Sequence, residues 1–178
     1  MIYESSYYKN ELQAIASRMR KRLQQKRWTD RSFFLLEKDV FYSFYIIRKL
    51  IEAPAKISSK TVNLKIKLSF YKPTNVKPNY LNRFEFYELY NLEKPNPIQK
   101  KLGFICNQFV HSYIFCPDFS EDGKFLGLFF NSDFERKNGL YQIRIKDVIN
   151  LCEEVARDYP NNVQYSYNFE KQDYDITC

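Results

Sequence analysis

The sequence predicts an α+β fold: an N-terminal core of long helices packed with a small antiparallel β-sheet. Three observations carry this. Tyr8, Leu12, Ile15, Ala16, Met19 and Leu23 recur at three- and four-residue steps, which is one stripe of a helix. Residues 30–52 are apolar on more than one face, as a central helix, or one that also supplies an oligomer interface, would be. Between 61 and 71 the period drops to two, with Val62, Leu64, Ile66, Leu68 and Phe70 alternating with Asn63, Lys65, Lys67 and Ser69.

Taken in order, the elements are as follows. The first helix should span about 4–27. Thr29-Asp30 supplies a cap for a second over about 30–52, which must stop before Pro54. Phe41, Phe44, Tyr45 and Ile47 are its expected buried residues. The strand over about 61–71 is followed by a two-proline loop at 72–82, and 83–92 leans to helix. Asn96-Pro97 reads as a cap and first helical residue for a helix over about 97–112. Turn-like residues after Pro117 lead to a hairpin of strands at about 124–131 and 140–145. A helix over about 147–158 and a strand over about 163–169 complete the chain, with the last residues expected to fray. One domain covers 1–178, since this length supplies one good core and not two.

Composition excludes several classes. Sixteen Phe and fifteen Tyr are too much ring surface for a disordered chain. No stretch approaches the roughly 18 apolar residues of a membrane span, and the start does not read as a signal peptide. A cytoplasmic location and no membrane partner are the expectation. Four cysteines at 106, 116, 152 and 178, with no CxxC pair and a single histidine, exclude the usual zinc spacings and give no reason for a disulfide framework. Cys152 is expected in the core and Cys178 as an exposed terminal thiol. With four glycines and no phosphate-loop, dinucleotide or hydrolase motif, neither a metal nor a cofactor is expected.

Charge is the stronger functional signal. The net charge of +7 divides into +11 over residues 1–145 and −4 over 146–178. Arg18, Arg20, Lys21, Arg22, Lys26 and Arg27 place six cations in ten residues with no acid. A helix dipole accounts for cations in the last turn, but not for six, so this run is a candidate phosphate-contacting face. Lys65 and Lys67, on the polar side of the first strand, are the second candidate.

The one histidine lies in Cys106-Asn107-Gln108-Phe109-Val110-His111. At a step of four, Asn107 and His111 share a helical face and can meet one ligand. This stretch resembles the Arg-Asn-x-x-x-His motif of the HEPN superfamily, helical domains common in bacterial toxins and defence ribonucleases. Cys106 stands where that motif has arginine. The order of a basic helix followed by a very apolar one is also similar. The resemblance implies RNA as ligand, a homodimer with two motifs face to face, and His111 and Asn107 as catalytic residues. In active members the histidine works on the 2′-hydroxyl or leaving group and the arginine steadies the phosphate. A cysteine cannot replace a guanidinium there. A cation borrowed from 18–27, Lys100 or Lys101 would be needed.

The expected function is therefore a basic, non-catalytic module that binds RNA, DNA or a partner protein, as in a defence or toxin–antitoxin system. Two alternatives stand beside it. One is a protein-interaction or oligomerisation domain. The other is a metal-independent ribonuclease using His111 and Asn107.

Overall fold

The computed structural model describes residues 2–178, the Thr177 side chain apart. Helix α1, Ser5–Arg22, is opened by the Glu4 carboxylate, which accepts the Ser6 N–H at 2.7 Å. It ends five residues earlier than its charge run suggested. The chain leaves the helix so that Trp28 can stack on Phe33 at 5.3 Å and meet Phe119 and Phe125 edge-on. Helix α2, Asp30–Glu52, has the expected bounds, with Thr29 Oγ1 accepting from the Ser32 N–H. It buries Leu36, Val40, Phe44, Ile46, Ile47 and Leu50. Tyr45, expected in the core, is instead half exposed, because α2 lies on the surface of the helical layer and keeps Phe34, Tyr42 and Tyr45 outward.

A single turn, α3 (Ser59–Val62), is capped by Ser58 and delays the first strand, β1, to Lys65–Tyr71. A second short turn, α4 (Phe86–Leu89), is all that forms of the helix expected over 83–92. Asn96–Lys101 is strand β2, not the start of a helix, which corrects the reading of Asn96-Pro97. A residue before proline is driven towards extended backbone, and β2 is an edge strand, where a missing N–H is tolerated. Helix α5 begins only at Leu102 and runs to Val110. Strand β3, Ser112–Phe119, was not expected; it also carries a proline, Pro117, and is the other edge. Then follow β4 (Phe125–Ser132), β5 (Leu140–Arg144), α6 (Ile145–Arg157), β6 (Gln164–Asn168) and β7 (Asp173–Thr177). The last of these corrects the expectation of a frayed end. Cys178 Sγ, half-buried, lies 3.1 Å from the Ile57 carbonyl oxygen, and Cys152 is in the core.

The sheet has the order β2-β1-β5-β4-β3 with every pair antiparallel, and β6-β7 form a separate hairpin. Helices α1, α2, α5 and α6 cover one face. Leu68, Leu128 and Ile143 point into that layer, as do Phe130 and Tyr141. Alternation then sends Lys65, Lys67, Ser69 and Tyr71 to the opposite face.

Candidate nucleic-acid interface

The six α1-region cations separate into two groups. Arg18 donates from Nε and Nη2 to Asp39 Oδ1 at 3.1 and 2.9 Å, and from Nη2 to Glu11 at 2.8 Å. Arg22 reaches Asp39 Oδ2 at 3.4 Å, and Arg20 pairs with Glu153 at 2.5 Å. These three cations are neutralised within the fold and hold α1 against α2 and α6. Arg18 and Arg20 nevertheless keep 41% and 53% of their side chains exposed. Lys21, Lys26 and Arg27 are exposed and in no ion pair among the described residues.

The outer face of the sheet has two unlike halves. At one end Tyr71, Ile114, Phe129 and Leu140 form a second small core under Leu89 and Tyr90 of the 73–95 segment. A polar row borders it. Tyr71 Oη donates to Gln142 Oε1 at 2.7 Å, and Gln142 Nε2 donates to Asp118 Oδ2 at 2.6 Å. Burial raises the Asp118 carboxyl above its usual range, the Gln142 bond partly opposing it. Under the cover, Tyr90 Oη donates to the Arg136 carbonyl and accepts from Asn131 Nδ2, and burial pushes this phenol up to about 12.

Beyond that row the face is open. Lys65 sits directly opposite Lys101 across the β1–β2 ladder, and Lys67 opposite Gln99. All four are exposed, and none of the three lysines is in an ion pair among the described residues. Arg144, exposed on the adjoining end of β5, is held by Asp147 at 2.8 Å. The sequence reading offered Lys101 only as a cation for the His111 site, because residues 97–112 were expected to be one helix. Only the strand pairing sets it beside Lys65.

His111 is the C-terminal cap of α5, its N–H bonded to the Asn107 carbonyl at 3.1 Å, and both side chains are exposed. The cation near it is Arg48 of α2, with Nη1 3.5 Å from His111 Nε2. Arg48 Nε also donates to Glu52 at 2.8 Å. It was not among the cations expected there. Arg18, Arg20 and Arg22 pair elsewhere, and Lys100 lies 4.6 Å over the Phe104 ring. Cys106 is fully buried, and its thiol is pushed up to about 12 by that burial, so this position holds packing rather than a ligand.

Among the described residues no three His, Cys, Asp or Glu side chains gather as metal ligands, and no helix is long and apolar enough to cross a membrane. No family model matches this chain, and no curated protein and no solved structure matches it either.

Proposed function

We propose that this chain is a nucleic-acid-binding module that grips the phosphate backbone with the open half of its outer sheet face. The observation that carries this is the Lys65–Lys101 pair, like charges directly opposite on neighbouring strands, with Lys67 beside them. Such a pair is destabilising in isolation, and a polyanion laid across it turns the repulsion into binding. Asp147, which lines the shallow groove beside Lys65 and Lys67, is already engaged by Arg144. Glu154, the other acid there, is in no ion pair among the described residues. The +11 charge of residues 1–145 supports the same reading.

The test is anisotropy of labelled RNA and DNA strands at several salt concentrations. Each phosphate contact contributes about 0.7–0.9 to the slope of log affinity against log salt. The triple variant K65Q/K67Q/K101Q is expected to weaken binding and to flatten that slope by about 2. K21Q/K26Q/R27Q serves as the matched comparison, and a larger loss there would move the interface to α1. No binding at low salt overturns the proposal.

A second reading, metal-independent ribonucleolysis in the manner of the HEPN resemblance, is favoured by one observation. Arg48 meets His111 at 3.5 Å, so a guanidinium able to hold a phosphate stands beside the only imidazole. Under this reading RNA is cut without added metal, and cleavage is lost in H111A, N107A and R48A while their melting curves stay near wild type. Intact RNA after incubation with the wild type removes it.

A further inference from the structure

A cleft of about 310 Å³ opens over the free edge of β3, between α2 and residues 83–86. Its walls are aromatic: Phe41 lies 5.0 Å from Phe115, with Phe84, Phe86 and Tyr113 completing them. Phe84 is 75% and Tyr80 70% exposed, and the Arg83 guanidinium rests between these two rings at 4.8 and 4.4 Å. Glu37, Arg83 and Ser112 add polar groups to this aromatic lining.

We infer that the cleft receives a nucleobase, which makes the nucleic acid this chain binds single-stranded; the inference rests on the reading in the preceding subsection. A base matches this lining. Its flat faces stack on Phe84 and its neighbours, and its ring edge carries acceptors for the Arg83 guanidinium that lines the cleft. A duplex keeps those faces stacked and those edges paired, so only an unpaired base can enter. Phe86 of the cleft packs on Phe129 at 5.4 Å, and Phe129 belongs to the same sheet face as Lys65 and Lys67. One strand can thus lay phosphates on the lysines and turn a base into the cleft.

The experiment compares a 12-nucleotide single strand with the same strand carrying abasic sites, for wild type and for Y80A/F84A. Both substituted rings are exposed, so the variant folds, and a melting curve checks this. Wild type is expected to lose about tenfold in affinity on the abasic strand, the usual scale of one stacked base. Y80A/F84A is expected to lose about as much on the intact strand and nothing more on the abasic one. Equal affinity of the wild type for both strands overturns the inference and leaves phosphate binding standing. Failure to bind any strand overturns phosphate binding instead. In that event free nucleosides, which carry no phosphate, decide the cleft: they must still shift the Tyr113–Cys116 amide resonances, and unshifted resonances overturn it. An unshifted spectrum with an aromatic peptide binding at the cleft assigns it to a protein partner.

Discussion

Phe44→Ala is expected to lower the unfolding free energy by about 3–5 kcal/mol, the cost of deleting a ring from a packed core. Phe44 is fully buried. Its ring stacks on Phe109 at 4.1 Å with an 11° tilt, and Phe109 stacks on Phe130 at 4.4 Å. The column joins α2, α5 and β4, so truncation leaves a void that no neighbour on a separate element can collapse to fill. The loss combines the transfer of the ring with the contacts forfeited around the cavity. Urea denaturation measures it, and a change below about 1.5 kcal/mol would show a site that relaxes. Tyr45→Ala is the internal control. One residue further along the helix and 47% exposed, it should move stability by less than about 0.5 kcal/mol, the ordinary range for surface sites.

Asp39→Ala is expected to cost about 2–3 kcal/mol. The carboxylate is 2% exposed and accepts from both Arg18 and Arg22. Its removal leaves the Arg22 side chain, 12% exposed, without a partner for its charge. Breaking a buried pair in this way typically costs about 3–5 kcal/mol. Arg18 is 41% exposed, so water replaces part of what it loses and the figure falls to the bottom of that range or below it. Arg18→Ala should therefore cost less than Asp39→Ala, and the reverse order would contradict this assignment. The same substitution frees two cations on α1. If the sheet face is the phosphate-binding surface, the salt slope of nucleic-acid binding stays unchanged.

Local signals were legible and distant pairings were not. Helix α2 could be read to the residue because Thr29 caps it and Pro54 bars its continuation. The facing of Lys65 and Lys67 followed from alternation alone. Asn96-Pro97 misled because the same dipeptide suits a helix start and an edge strand; only pairing with Phe70 and Ser69 decides between them. Lys101 is invisible as a neighbour of Lys65 until that register exists. The α1 cations looked free because their acids, Asp39 and Glu153, are contributed by α2 and α6. Arg48 gave no signal, lying 63 positions from His111 on a helix read as core. The Asn107–His111 spacing was visible, but the helix around it starts five residues later than expected.

The sheet is stitched from two pieces of very different reach. Strands β3, β4 and β5 follow one another along the chain, while β1 and β5 share only three paired positions, Ser69–Gln142 to Tyr71–Leu140. Closing that seam brings together residues roughly 70 apart in sequence, and the entropy of so large a loop must be met before the pairing gives anything back. On loop-closure grounds the meander is expected to form first and the β1–β2 ribbon to join it late. Because Lys65 and Lys101 ride on that ribbon and the aromatic cleft borders β3, the two halves of the proposed nucleic-acid surface belong to pieces that meet at the slow step. A strand spanning both would act as a splint across the seam, and the refolding rate would rise in its presence.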